Sequence, residues 1–214
     1  MDDVTFVLQR LSNRGYESIY DDKFFREVRF LHRFLGLKIT LYVYSRFGNL
    51  SLDYIPDLYA KDFSEASTWL KLGFHAVSEE QGRNNILPGF AEAFEKTQLN
   101  IVRFASEKSV ARVLRLHYWF YPEEYIDILE KNGISTVLTK EGQSVQSISI
   151  KSWETQVCVE KQRLFQILRK VMSRKTEQPF VAFTHEWALN RRNKIKLFLV
   201  IVLLKMFGYN FLSE

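Results

Sequence analysis

Hydrophobic positions along the chain alternate between strand-like runs and amphipathic helices. The clearest helix is predicted over residues 23–35, where Phe24, Val28 and Leu31 recur at helical spacing and Gly36 follows as a C-cap. A strand over residues 39–45 comes next, and strands and helices then alternate towards the carboxyl terminus. The other predicted strands cover residues 17–22, a run ending at position 75, and residues 113–119, 135–139, 180–184 and 209–212, with two short strands within 145–159. The other main helices are predicted over residues 88–107, 122–131 and 160–173 and from about residue 191.

This alternation predicts the fold class. Strands separated by helices of this length are joined by right-handed crossovers and pair in parallel. The pattern therefore indicates an α/β fold, and by itself it leaves a barrel and a doubly wound sheet open. The chain has 214 residues and is 46% hydrophobic, which is enough for one large core, so we expect a single domain over residues 1–214.

Charge and cysteine content limit the partners and the cellular location that we expect. The net charge is +5, but lysine and arginine are interspersed with acidic residues except in the stretch 191–196. We interpret that stretch as a solvated helix face, and since no nucleic-acid motif accompanies it we expect no nucleic-acid partner. Cys158 is alone, no signal peptide is evident, and the apolar run 197–204 is far shorter than the ~20 residues of a membrane span. We therefore expect a cytoplasmic protein without a membrane span.

Polar side chains follow the predicted strands. Asp21 and Asp22 end the first strand, His75 ends the third, and Arg115 and His185 lie near the ends of later ones. In a parallel α/β protein these ends meet at one edge, where active sites form. An aspartate before a helix also fits an N-cap, and a lone histidine is commonly a hydrogen-bonded core residue. The convergence of several such residues favours a site.

The spacing of these residues fits a metal centre. His75 and Glu79 are four residues apart and would share one face of a helical turn, so both could reach one ion together with Asp22. His117 lies two residues after Arg115 on the same predicted strand face and is a competing ligand. Imidazole and carboxylate ligands favour zinc, with manganese, iron, cobalt or nickel as alternatives.

The order of these motifs resembles the polysaccharide deacetylases, the NodB-homology or family four carbohydrate esterases. Tyr20-Asp21-Asp22 resembles their T-F-D-D motif, the segment LGFHAVSE their H-x-x-x-H motif, and LRLHYWFY their R-x-P-Y segment. FTHEW resembles the strand with the last catalytic histidine, and GYNFLSE the final strand. The resemblance covers most of the chain from about residue 17, and it is closest to a divergent branch associated with bacterial O-antigen biosynthesis.

The resemblance implies a fold and a set of roles. The fold would be an incomplete (β/α) barrel of about seven parallel strands. Asp21 would be the catalytic base, Asp22 and His75 metal ligands, Arg115 the residue that positions the base, and His185 the general acid. The family's second metal histidine is replaced by Glu79, and its proline by His117. The aspartate after the last histidine is replaced by Glu186. Tyr20, Trp119, Tyr121 and Trp187 lie beside these motifs, where they could stack on a sugar ring or serve as core aromatics.

The implied activity is removal of an N-acetyl group from a sugar of a cell-surface polysaccharide or its intracellular precursor, free or linked to a nucleotide or lipid. Two alternatives stay open: a sugar-binding protein that has lost catalysis, and a metal-dependent amidohydrolase acting on a non-carbohydrate amide. The sequence does not indicate an oligomeric state.

Overall fold

The computed structural model describes residues 1–80, 88–173 and 179–212. Its helices are α1 (Phe6–Arg14), α2 (Lys23–Leu35), α3 (Ala60–Ala66), α4 (Phe90–Phe104), α5 (Glu123–Lys131), α6 (Leu164–Met172) and α7 (Arg191–Met206). Its strands are β1 (Ile39–Tyr44), β2 (Arg46–Phe47), β3 (Leu50–Ser51), β4 (Leu70–Ala76), β5 (Val113–Leu114), β6 (Thr136–Thr139), β7 (Lys151–Cys158) and β8 (Val181–Phe183). None of the helices in these ranges is long and apolar enough to cross a membrane.

The strands confirm the predicted α/β class with parallel pairing. Strands β5, β6, β7 and β8 form a curled parallel sheet in that order, β1 pairs in parallel with β4, and β2 and β3 form a small antiparallel hairpin. Among the described strands the parallel ones therefore belong to a sheet of four and a sheet of two. A single barrel of about seven strands stays a prediction.

Three contacts join the edges of these sheets. A parallel bridge links Leu72 of β4 to Val110 just before β5. At the opposite edges, residues 1–4 run between β1 and the end of β8: the Tyr42 amide donates to the Met1 carbonyl (2.8 Å), and the Asp2 amide donates to the Thr184 carbonyl (2.9 Å). The amino-terminal segment is thus held by backbone hydrogen bonds on both sides.

Helix α2 shows how local sequence sets an element. The Asp22 carboxylate accepts a hydrogen bond from the Phe24 amide at the helix start (2.8 Å), and Gly36 ends the helix with a positive φ of 68°. Phe25 and Val28 are buried on the face that packs against β1 and β4, which belong to the same apolar cluster. The predicted helix over residues 23–35 is confirmed.

The two sheets approach each other at Gly73 in β4. A Cβ at this position would lie 3.0 Å from the Tyr42 ring and 3.2 Å from the Ala111 side chain, tighter than most packed side chains are, so its neighbours would have to move apart. Glycine therefore permits the contact that brings the end of β4 beside β5. This approach places His75, two residues later, next to the segment that carries Arg115.

Several predicted strands differ in the structure. The predicted strand over residues 17–22 is a 3-10 turn at Ile19–Asp21, because the Ser18 hydroxyl and the Asp21 carboxylate cap it locally. The strand predicted over 113–119 ends after Leu114, and the two strands predicted within 145–159 are the single strand β7. Residues 209–212 are not a strand.

Candidate functional site

The site starts from the amino-terminal segment. Asp3 has a positive φ of 54°, a backbone conformation that aspartate tolerates better than most residues. The segment bulges there, so the Val4 amide donates to the Tyr42 carbonyl (3.0 Å) and the Asp3 amide does not take part in this ladder. Consecutive aspartates consequently serve different partners: Asp2 pairs with Arg115, and Asp3 lies against His75.

Asp3, His75 and His117 form a compact group of possible metal ligands. Asp3 Oδ1 is 3.2 Å from His75 Nε2, His117 Nδ1 is 3.1 Å from the same nitrogen, and Asp3 Oδ1 and His117 Nδ1 are 4.0 Å apart. His75 is buried at the end of β4, and the other two side chains are mostly buried. One carboxylate and two imidazoles therefore point at one small volume.

The hydrogen bonds of this group fit a divalent cation. The Arg115 carbonyl lies 2.6 Å from His75 Nδ1, so Nδ1 carries a proton and the Nε2 lone pair faces Asp3 and His117. In the neutral tautomer of His117 that carries its proton on Nε2, the lone pairs of both rings and the Asp3 carboxylate face one another without a proton between them. A zinc-type ion held by two imidazoles and one carboxylate would remove that conflict.

The pKa values of Asp3 and His117 also fit metal ligands. Burial alone would raise the pKa of Asp3, but a hydrogen bond from His75 and its charge when both ring nitrogens are protonated, together with hydrogen bonds from Tyr44 and Trp187, hold it below its ordinary value. Burial and the neighbouring His75 lower the pKa of His117 to about 4. Asp3 is therefore ionised and His117 is neutral at neutral pH, as ligands must be.

Asp2 and Arg115 form a second, buried pair. The Arg115 guanidinium contacts Asp2 Oδ2, and the two side chains are 3% and 0% exposed. The guanidinium also lies between the rings of Trp119 and Phe183, 4.2 Å from each centroid. The aromatic rings fix the arginine, and Asp2 Oδ1 makes no hydrogen bond. This buried oxygen therefore keeps an unused acceptor position.

His185 completes the site from the end of β8. Its Nδ1 contacts Glu160 Oε1, which also accepts from the Cys158 thiol (3.0 Å). Its Nε2 lies 4.0 Å from a carboxylate oxygen of both Asp2 and Asp3. Burial would raise the pKa of Glu160, yet the contact with His185 lowers it to about 2. An ionised glutamate thus orients His185 towards the two aspartates.

An open cleft of about 170 Å³ reaches Asp3 of this group. Trp187 is 59% exposed, stacks on His185 with ring centroids 5.1 Å apart, and donates through Nε1 to Asp3 Oδ2 (3.0 Å). The cleft is lined by Asp3, Thr5, Phe6, Tyr44, Phe47, Glu79 and Trp187. Aromatic walls above a polar floor suit a sugar ring that carries a reactive polar group.

The structure does not bring Asp21 and Asp22 to His75, so the predicted placement of this pair is wrong. Asp22 is the N-cap of α2, and its carboxylate takes a two-pronged ion pair from Arg10 (2.6 and 3.1 Å). Asp21 is exposed and accepts from the amides of Glu17 and Ser18 (3.1 and 3.0 Å). Local capping satisfies both carboxylates.

Two other acidic positions differ from their predicted surroundings. Glu79 lies on the exposed rim of the cleft, because β4 ends at Ala76 and no helical turn brings Glu79 back beside His75. Glu186 follows His185 but points away, since its carboxylate accepts from the amides of Thr5, Phe6 and Val7 at the start of α1. Of the predicted candidate ligands, the structure brings His75 and His117 together.

Of the four aromatic residues predicted to stack on a sugar, one lines the cleft and three pack against other parts of the protein. Trp187 lines the cleft, as described above. Trp119 holds Arg115, and Tyr20 lies under the Arg29 guanidinium and packs against the core around α2. The Tyr121 hydroxyl accepts from the Leu116 amide (3.0 Å) and donates to the Leu138 carbonyl (2.8 Å), bracing the chain between Arg115 and His117.

Asp2, Asp3 and Glu160 were not among the predicted residues. The aspartate pair could have been found, because it directly precedes an amphipathic run that includes Val4, Val7 and Leu8 and so repeats the Asp-Asp-helix pattern chosen at residues 21–22. Glu160 has no comparable signal, since it lies beyond the end of β7 and meets His185 through strand pairing.

Comparison with known proteins shows the fold. No protein-family model matches the sequence, and a search of curated proteins found no match. Among solved structures, the chain is similar to the Bc1960 peptidoglycan N-acetylglucosamine deacetylase in complex with 4-naphthalen-1-yl-N-oxidanyl-benzamide, with a TM-score of 0.59, 12% identity, and coverage of 99% of this chain and 82% of that one. It is also similar to a family 4 carbohydrate esterase from Streptomyces lividans in complex with acetate, with a TM-score of 0.52, 14% identity, and coverage of 96% and 84%. The chain therefore has the α/β fold of these enzymes.

Proposed function

We propose that this chain is a metal-dependent hydrolase that removes the N-acetyl group from a sugar. The observation that carries the proposal is the division of labour between adjacent aspartates. Asp2 faces an arginine and Asp3 faces two histidines, while a third histidine, held by a glutamate, lies 4.0 Å from both carboxylates. The fold shared with a peptidoglycan N-acetylglucosamine deacetylase and a family 4 carbohydrate esterase supports the proposal.

Asp3, His75 and His117 would hold the metal ion. Zinc best suits two imidazoles and a carboxylate, and manganese, iron, cobalt or nickel are alternatives. When bound, such an ion polarises a carbonyl oxygen and lowers the pKa of a water molecule towards neutrality. This ligand set keeps the predicted His75 and His117, and Asp3 would serve in place of the predicted Asp22 and Glu79.

Asp2 is the base in this proposal. Its free Oδ1 takes a proton from the attacking water as the water oxygen bonds to the carbonyl carbon. Arg115 holds the carboxylate in place and compensates its charge, since a carboxylate buried without a cation is costly. Arg115 is thus the positioning residue, as the family resemblance implies.

His185 is the acid. It donates a proton to the amide nitrogen while the carbon–nitrogen bond breaks, because an unprotonated amide nitrogen is a very poor leaving group. Glu160 fixes the ring through Nδ1, which directs Nε2 at the reaction centre. The products are acetate and the free amine of the sugar.

The cleft supports a sugar as the substrate. Trp187 offers an exposed face beside His185, and Phe6, Phe47 and Tyr44 line the same opening. The substrate we propose is an N-acetylated sugar of a cell-surface polysaccharide such as O-antigen, or its nucleotide- or lipid-linked precursor.

The barrel belongs to the same proposal. The six parallel strands and the segment 1–4 would make seven members. The Leu72–Val110 bridge and the hydrogen bonds of the segment to Tyr42 and Thr184 would join them into one incomplete barrel.

The test is acetate release from N-acetylated chito-oligosaccharides by the protein reconstituted with zinc, and in parallel with manganese or cobalt. Asp2→Asn and His185→Gln should each lower the turnover at least about a hundredfold. Asp21→Asn, which changes the aspartate chosen from sequence, is the matched control and should leave turnover unchanged. Loss of activity in the control alone would overturn the assignment. A metal-loaded protein that binds the oligosaccharide without releasing acetate would point to a sugar-binding protein instead.

A further inference from the structure

We propose that the surface formed by α2 and α7 binds the anionic surface of a lipid bilayer. We call it the basic–apolar face and define it by Phe30 and Phe34 of α2, Ile195, Phe198, Leu199 and Met206 of α7, and the lysines and arginines of both helices other than Arg29 and Lys196. Arg29 packs on the Tyr20 ring, and Lys196 donates to the carbonyls of Val159, Glu160 and Gln162. The inference goes beyond the deacetylase proposal and does not depend on it.

The two helices lie side by side and run in the same direction. Near their amino ends, Lys194 Nζ lies 2.6 Å from Glu27 Oε2. Near their carboxyl ends, a Cβ at Gly36 would lie 3.7 Å from Lys205 Nζ. Their outward sides therefore form one continuous surface about three turns long.

Large apolar side chains are exposed along this surface. Phe30 and Phe34 are 52% and 70% exposed, with ring centroids 4.4 Å apart, and Ile195 and Met206 are 55% and 76% exposed. Helix α7 is apolar on nearly every side after Lys196, yet only part of it is buried. A helix of this composition is normally covered, so the exposed side calls for an apolar environment.

Charge identifies that environment. Without Arg29 and Lys196, α2 and α7 contain seven lysine and arginine residues and one acidic residue, Glu27, an excess of six positive charges. The whole chain has a net charge of +5, so the rest carries an excess of one negative charge. Exposed phenylalanine and aliphatic residues within such a basic surface are the combination that inserts into the headgroup region of anionic membranes.

Charge also argues against other occupants. A second copy docking through the same face would bring two strongly positive surfaces together. Nucleic acid would use the positive charge, but it gains little from exposed Ile195 and Met206.

The test is co-sedimentation with vesicles of phosphatidylcholine alone and of phosphatidylcholine and phosphatidylglycerol in about equal amounts. The protein should bind the anionic vesicles at least about tenfold more tightly than the neutral ones. The variants Arg191→Glu with Arg192→Glu, and Phe30→Gln with Phe34→Gln, should each weaken binding about tenfold or more.

Matched controls change the same chemistry elsewhere. Lys131→Glu with Lys140→Glu alters net charge equally, and Leu99→Gln removes a 70% exposed apolar side chain from α4; both should bind as the parent does. Circular dichroism checks that every variant is folded. Absence of binding to anionic vesicles, or binding weakened equally by the controls, would overturn the proposal. So would binding insensitive to the phenylalanine pair, or light scattering that shows a dimer through this face in place of lipid binding.

Discussion

The buried pair of Asp2 and Arg115 allows a quantitative test of the site. The two side chains are 0% and 3% exposed, so each charge depends on the other for compensation. Arg115→Met keeps much of the side chain between Trp119 and Phe183 but leaves the Asp2 carboxylate buried without a cation. Breaking a buried pair in this way costs about 3–5 kcal/mol of unfolding free energy. For a chain of this size that is a fall in melting temperature of roughly 10 °C.

The double variant Asp2→Asn with Arg115→Met should be more stable than the sum of the single effects predicts. Neither charge then remains buried alone, so we expect a coupling energy of about 2–4 kcal/mol. The assay is urea unfolding followed by circular dichroism, with a chelator present so that metal binding does not stabilise the native state.

The sequence-chosen aspartate provides the matched cycle. Arg10 pairs with Asp22, but the Arg10 side chain is 34% exposed, so Arg10→Met with Asp22→Asn should show a coupling of about 1 kcal/mol or less. A coupling for Asp2 and Arg115 no larger than this control would refute the reasoning, because it would mean that water screens the pair.

Three further outcomes are expected. Asp3→Ala should lose the metal ion measured by elemental mass spectrometry, whereas Glu79→Ala at the cleft rim should keep about one ion per chain; the opposite result would return Glu79 to the ligand set. The metal-free protein should lose stability as pH falls from 6.5 to about 4. In this range His117 takes up a proton in the unfolded chain, whereas burial lowers its pKa in the folded protein to about 4 and keeps it neutral there. His117→Gln should flatten that part of the urea-unfolding pH profile, and an unchanged slope would contradict its burial. Glu186→Gln should cost about 2 kcal/mol of stability, since it weakens three hydrogen bonds to the start of α1, while acetate release per folded molecule stays unchanged; lost turnover in the folded variant would give Glu186 a role in the site.

Local patterns were sufficient for most of the fold. The spacing of Phe24, Val28 and Leu31 and the glycine after them predicted α2 because these signals act within one element. The strand predicted over residues 113–119 shortened to β5 because the chain turns at His117, where Tyr118 and Trp119 both have positive φ. Hydrophobic alternation does not encode a turn that depends on contacts to Arg115 and Phe183.

The aspartate pair was misassigned for a similar reason. Two Asp-Asp pairs each precede a helix, and the residues before Asp21 look more strand-like than those before Asp2. In the structure it is the segment before α1, residues 1–4, that runs extended beside other strands. Its backbone hydrogen bonds join Met1 to Tyr42, 41 positions further along the chain, and Asp2 to Thr184, 182 positions further along. Such long-range pairing is invisible to a local propensity. At residues 21–22 the N-cap interpretation, which the sequence also allowed, describes Asp22.

His117 shows how the proposed ligand set differs from the motif of the resembled family. The position that carries the second metal histidine in the resembled family holds Glu79, which points to the rim of the cleft. His117 occupies the proline position of another motif, yet the turn after Leu116 and the brace from Tyr121 bring its Nδ1 to 3.1 Å from His75 Nε2. A ligand set is defined by where donor atoms meet, so the imidazole can come from a different loop. The chain therefore brings two imidazoles and a carboxylate around one point without the H-x-x-x-H spacing.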